Sequence, residues 1–364
     1  MNTKHSIILG ILSLFILTSY ANNADKKGND LTKDNLKGNV KSVRTTKYNA
    51  VEKFGEITKG DIINADYNSL IIYNEKGNIT EKNRYNSNGN LEWKTTYKYD
   101  EKGNITEENG YNSNGKLKSK TNYKYNEKGN KTEDNGYDFD GNLEWKNTYK
   151  YDKKGNLTKV NGYNSNRNLE SKTTYKYDEK GNRTEMNRYD SNGKLTSKIT
   201  YKYDEKGNKT EDNGYTDGNL KWKYTYKYDE KGNKTEDNWY NSDGKLTNKY
   251  ILKYDEKGNR TEMNRYDSNG KLTSKITYKY DEKGNLTEIN WYNPNGNLES
   301  NATYKYDEKG NLTEENNYDS NGNLSYKLPI YKYTKYDKND NWIEQIEYYD
   351  NNPKNITERT IEYY

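Results

Sequence analysis

Residues 99–124 read YDEKGNITEENGYNSNGKLKSKTNYK, and at Tyr125 the same pattern begins again. The hexamer YDEKGN, or a close variant, starts at Tyr73, Tyr99, Tyr125, Tyr151, Tyr177, Tyr203, Tyr228, Tyr254, Tyr280 and Tyr306. The spacing is 26 residues except for one step of 25, lost in the turn Thr216-Asp217-Gly218. Each unit holds two turn signals, Glu-Lys-Gly-Asn (101–104) and Asn-Ser-Asn-Gly (112–115). Gly and Asn tolerate the positive φ that tight hairpin turns require. Between the turns lie runs rich in Thr and Tyr with period-two alternation, the pattern of strands.

The fold class that follows is all-β: an antiparallel β-meander of about 20 strands built from about ten tandem repeats. In the run 91–99, Leu91, Trp93, Thr95, Tyr97 and Tyr99 are expected on one face, and Glu92, Lys94, Thr96 and Lys98 on the other. Such a sheet either curls or spirals to hide its Tyr face, or stands as a long single layer shielded by its own large side chains. Gly103 is read as a turn residue, Tyr111 and Leu117 as packing beneath the second turn, and Asn109 as a bond to neighbouring backbone.

Composition agrees. Of 364 residues only 29% are hydrophobic, and 41 are Tyr, so no conventional aliphatic core is expected. Basic residues number 61 and acidic residues 56, interleaved within every unit. That describes a solvated mixed-charge surface rather than the one-sided basic face of a nucleic-acid binder.

Residues 1–21, MNTKHSIILGILSLFILTSYA, have a basic start, an apolar run from Ile7 to Leu17 and small residues at Ser19 and Ala21. This is the pattern of a secretory signal peptide. Its removal takes away His5, the single histidine, and the chain contains no cysteine. Catalytic triads, Cys-His dyads and most transition-metal sites lose their residues at once. We therefore expect no enzyme activity, no cofactor and no metal site. Asp138-Phe139-Asp140-Gly141 and residues 190–193 look like the start of a calcium loop but lack the remaining ligands. Carboxylate pairs such as Glu211-Asp212 recur on a polar strand and read as solvated.

The organisation expected is a signal peptide (1–21), an N-terminal capping segment (22–72), the tandem repeats (73–325) and a degenerate C-terminal cap (326–364). Segments 176–208 and 253–285 are identical. Interchangeable units suit a multivalent surface better than a unique catalytic centre. The variable positions are then informative. Trp93, Trp145 and Trp222 occupy one position of the unit, and Trp239 and Trp291 another. These five are the candidate ligand-binding residues, placed to stack on sugars or enter a partner's pocket. The plainer reading is that they fill gaps in the Tyr layer.

Residues 151–158 (YDKKGNLT), 280–287 and 306–313 (both YDEKGNLT) resemble the YD repeats of RHS-type proteins. The second half of the unit, as in 111–123 (YNSNGKLKSKTNY), is similar to MORN-variant repeats of small bacterial proteins. The RHS resemblance implies strands wound into a shell. It also implies a C-terminal toxin in many members, for which the repeat-like sequence up to Tyr364 leaves no counterpart here. The expected function is that of an exported bacterial repeat protein, periplasmic, cell-surface or secreted. It would bind a glycan, a cell-wall polymer or a host protein, without nucleic acid and without a membrane span after cleavage. The alternatives are a structural envelope scaffold and, last, an enzyme using carboxylates alone.

Overall fold

A computed structural model describes residues 29–63, 68–306, 310, 312–327, 329–349 and 352–364. The expected signal peptide lies outside the described residues. Among them is one sheet of 26 strands, every pair antiparallel, with a single short helix at Asp30–Lys33. Each unit supplies a short strand such as Ile105–Asn112 and a long one such as Leu117–Tyr125.

The turns explain the constant residues. Asp100 N–H donates to Asn104 O at 2.9 Å, and Gly103 N–H donates to Asp100 O at 3.1 Å. Oδ1 of Asp100 accepts from the backbone N–H of both Lys102 and Asn104. Gly103 sits at φ +81°, where a side chain would be strained. The second turn repeats this geometry with Asn112 in the role of Asp100. Successive first turns are also stitched together: Lys102 Nζ donates to Glu127 O, and Lys128 Nζ to Lys153 O.

After each turn the register slips by a residue. Tyr99 pairs with Ile105 but Lys98 pairs with Glu107; Tyr111 pairs with Leu117 but Gly110 pairs with Ser119. These are β-bulges, one extra residue on one strand. They correct the simple alternation expected from the sequence. Leu117, opposite Tyr111, lies on the face carrying Lys and Glu, whereas Ser119 lies on the other. The same slip moves Leu91 to the face of Tyr85, away from Trp93. Tyr111 and Leu117 do pack together beneath the second turn.

The sheet is a single layer. Each repeat strand packs against its sheet neighbours, and most of its side chains are half-buried on both faces. Among the described residues the one cluster of buried apolar side chains, Leu31, Val40, Val43, Tyr73 and Ile79, sits where the short helix covers the first turn. There Leu31 N–H donates to Gly77 O, and Asp30 Oδ2 accepts from Ile79 N–H.

The two irregular ends meet. Strand Val40–Lys53 bonds to Ser69–Tyr73 along one edge and to the C-terminal strand Asn352–Tyr363 along the other. Tyr364 Oη donates to Tyr73 O at 2.6 Å. Strand Ile330–Tyr336, two strands back from the C-terminal one, also lies beside Leu312–Asp319, the short strand of the last unit. Both ends of the array are therefore covered by chain from outside it, which shields edges that would otherwise template further pairing.

Candidate functional site

One face carries an ion-pair ladder. Glu107 sits between Lys98 of the preceding strand, at 2.8 Å, and Lys120 of the following strand, at 2.7 Å. The motif recurs at Glu133, Glu185, Glu211, Glu236 and Glu262. Asn109 donates to Glu107 Oε1 at 2.8 Å, so its partner is a carboxylate on its own strand rather than the neighbouring backbone we expected. Its equivalents are buried throughout the array. Lys120, Lys98 and Asn109 together hold the Glu107 carboxyl at about 2. At these six positions each Glu is matched by two lysines, whereas Lys159, which stands where Glu107 does, pairs with Lys150 and has no ion pair among the described residues.

The opposite face carries the tyrosines that end the long strands, such as Tyr123 and Tyr125. The hexamer Tyr meets the same kind of partner from unit to unit. Tyr125 Oη donates to Ile105 O, and Tyr151 Oη to Lys131 O, each at 2.8 Å. Each therefore satisfies a carbonyl at the bulge of the previous unit. Beside them, two positions three residues apart vary together. Lys131 bonds buried Asp134, Lys209 bonds buried Asp212, and Lys234 bonds Asp237. Where the first is Leu157 or Leu286, the second is Val160 or Ile289; where the first is Arg183 or Arg260, the second is Met186 or Met263. The arginines lie over tyrosine rings instead, Arg183 4.9 Å from Tyr201 and Arg260 4.5 Å from Tyr278. In these units no buried carboxylate lacks a cation, whereas Ile105 and Leu312 are followed by Glu108 and Glu315, and burial raises the Glu315 carboxyl.

The five tryptophans all lie on this tyrosine face, nearer the second turn. Trp145 is paired with Gly136 and Trp222 with Gly214. A Cβ built on either glycine would fall 2.2 Å from the indole, so the ring occupies the space that glycine leaves. Trp93 faces Arg84, Trp239 faces Asn248, and Trp291 faces Ser300. No pair holds two tryptophans. Gap filling therefore accounts for Trp145 directly and for the placement of Trp222.

Only part of the predicted set comes together. Trp222 stacks on Tyr224 with ring centroids 4.8 Å apart and planes 19° apart. Tyr224 meets Trp239 at 5.4 Å, and Trp239 meets Tyr250 at 5.1 Å. On the next strand Arg265 lies 6.0 Å from the Tyr250 ring, and its Nε and Nη2 donate to Asn248 Oδ1 at 3.0 and 2.8 Å. Trp239 Nε1 donates to Asp237 Oδ1 at 2.8 Å, which orients the indole. The result is a continuous aromatic strip across adjacent strands, ending in a guanidinium. Trp93, Trp145 and Trp291 have no ring partner among the described residues.

Sequence reasoning missed Tyr224, Tyr250 and Arg265. The signal was present: Tyr224 and Tyr250 stand where other units have Thr, Asn, Ile or Ala. In a chain with 41 tyrosines, two more at an unusual position do not stand out. Among the described residues no group of three or more His, Cys, Asp or Glu side chains could hold a metal ion. At the loop Asp138–Gly141, both carboxylate oxygens of Asp138 are occupied by turn N–H groups of Asp140 and Asn142 and by the Asn142 amide. No helix among the described residues is long and apolar enough to cross a membrane.

No curated protein matches the sequence. Similar solved structures include TcdB2-TccC3-Cdc42, at 13% identity over 87% of this chain and 20% of that one, with a TM-score of 0.30. They also include a porin-like protein from Bacteroides uniformis, at 11% identity over 89% of this chain and 98% of that one, with a TM-score of 0.26. The chain spans about a fifth of the length of the TcdB2-TccC3 chain it matches. Residues 280–317 match the family model described as RHS Repeat, the stretch that holds two of the YDEKGNLT motifs. Over those residues the chain is similar to RHS repeats, as the motifs imply.

Proposed function

We propose that this chain is a non-enzymatic, exported repeat protein whose sheet serves as a binding surface for a glycan or cell-wall polymer. The observation that carries the reading is the strip Trp222–Tyr224–Trp239–Tyr250. Trp239 is 37% exposed, so part of its ring faces solvent. Aromatic rings aligned on a rigid sheet offer faces to the C–H faces of sugars, and large amphipathic rings dominate interface energetics generally. The scaffold holds these side chains on strands rather than loops, which suits a preorganised site. The leader-like residues 1–21 support export. The absence of His and Cys after that leader supports a non-catalytic role.

The test is retention of the mature chain on a panel of insoluble glycans and purified cell-wall material. The wild type is expected to be retained by at least one polymer, and the double substitution Trp239→Ala/Tyr250→Ala to release it. Undiminished retention of the double variant would remove the site. Failure to bind any polymer, together with stable self-assembly, would favour a structural envelope scaffold.

A further inference from the structure

The aromatic strip does not end on an apolar residue. It ends on Arg265, and this feature narrows the ligand class. Asn248 fixes two donor nitrogens of the guanidinium, and the Tyr250 ring lies against it. No carboxylate pairs with Arg265 among the described residues. At this level of the sheet, cross-strand pairs from Arg84/Trp93 to Trp291/Ser300 carry Arg, Trp, Gly, Ser and Asn but no Asp or Glu. Asp237, the acid within the strip, is already engaged by Trp239 and Lys234. This contrasts with the ladder face, where each Glu is matched by lysines.

We propose, building on the binding reading above, that the strip takes an anionic polysaccharide of the uronic-acid class. Sugar rings would lie along Trp222, Tyr224, Trp239 and Tyr250, and a carboxylate would be held by Arg265. A planar guanidinium matches a carboxylate with two parallel hydrogen bonds, and the aromatic neighbour lowers the local dielectric in which they form. Single-stranded nucleic acid also combines stacking with negative charge, but it needs a basic groove along its backbone. The chain's charge is nearly balanced, and most lysines of the other face are paired with Glu, as Lys98 and Lys120 are with Glu107.

The duplicated segments supply an internal control. Arg188 lies in a copy of the same 33-residue sequence that holds Arg265, but the strand before it places Ser171 and Thr173 where Arg265 has Asn248 and Tyr250. The experiment measures binding of the mature chain to polygalacturonate, to its fully methyl-esterified form and to poly-dT. We expect the acid form to bind at least ~10-fold more tightly than the ester, the size of one charge-assisted contact. Arg265→Ala should remove that preference, and Arg188→Ala should change it by less than about twofold. Equal binding of acid and ester overturns the anionic class while leaving the aromatic strip as a glycan site. Binding of neither polymer overturns it as well, and the wider glycan panel then decides the binding reading separately. Tighter binding of poly-dT overturns it in favour of nucleic acid.

Discussion

Trp145 lies flat over Gly136 of the neighbouring strand, in the space a Cβ would occupy: the built Cβ falls 2.2 Å from the indole. Side-chain size is thus matched across the strand pair. Gly136→Ala should expel the ring and cost about 1–3 kcal/mol, the range for overpacking. Its signature would be a red-shifted Trp emission and a lowered Tm. Gly110→Ala, facing Ser119 Oγ at 2.8 Å, should cost less, because a hydroxyl can rotate away.

Lys131 and Asp134 form a pair in which the carboxylate is buried. Lys131→Leu alone leaves that charge uncompensated and should cost roughly 2 kcal/mol, less than a fully buried pair because Lys131 is partly exposed. Lys131→Leu/Asp134→Val reproduces the pair Leu157/Val160 of the next unit and should return stability to within about 1 kcal/mol of wild type. Urea denaturation of the three chains checks this. A double variant no more stable than the single one would mean that the two positions are not coupled.

Acid should unfold the array late and over a narrow range. Glu107 is held at about 2 by Lys120, Lys98 and Asn109, and Glu262 at about 2 by Lys253 and Lys275, against an ordinary 4.5. Depressed carboxyl groups stabilise the fold above their unfolded pKa, and that stabilisation is lost as pH falls through the folded value. Tm should therefore be flat above pH 5 and fall between about 4.5 and 2. High salt should shrink the effect, since the lysine partners are solvent-exposed.

Alkali acts through the other face. Burial, followed by the nearby Glu108 carboxylate, pushes the Tyr123 hydroxyl up to about 12; burial and the Asp212 hydrogen bond raise Tyr226 further. A raised phenol contributes stability that is whole below its unfolded pKa near 10 and is lost as pH rises through the folded value. Absorbance titration at 295 nm should show tyrosines of this kind, Tyr123 and Tyr226 among them, ionising together with unfolding, above pH 10. Smooth ionisation at pH 10 with the fold intact would contradict the hydrogen-bonded tyrosine face.

Much of this was legible in the sequence because the determinants are local. Turn type depends on Gly103 and Asp100 within five residues, and strand identity on the Thr/Tyr alternation beside them. The face of Leu91 was misread because a bulge displaces one residue without leaving a mark in composition. Asn109 was assigned the wrong partner because its choice between a carboxylate and a carbonyl depends on rotamer and burial.

The candidate site was half legible. Five tryptophans stood out, but whether they meet depends on the neighbouring strand. Trp222 and Trp239 join through Tyr224, while Trp145 settles over a glycine.

The sequence by itself determined the repeat, its two turns and its antiparallel strands, since hairpins are written in residues close along the chain. Only the tertiary structure decided that Val40–Lys53 pairs with Asn352–Tyr363, and which exceptional residues become neighbours. Both depend on contacts between residues far apart along the chain or on separate strands, which no local pattern encodes.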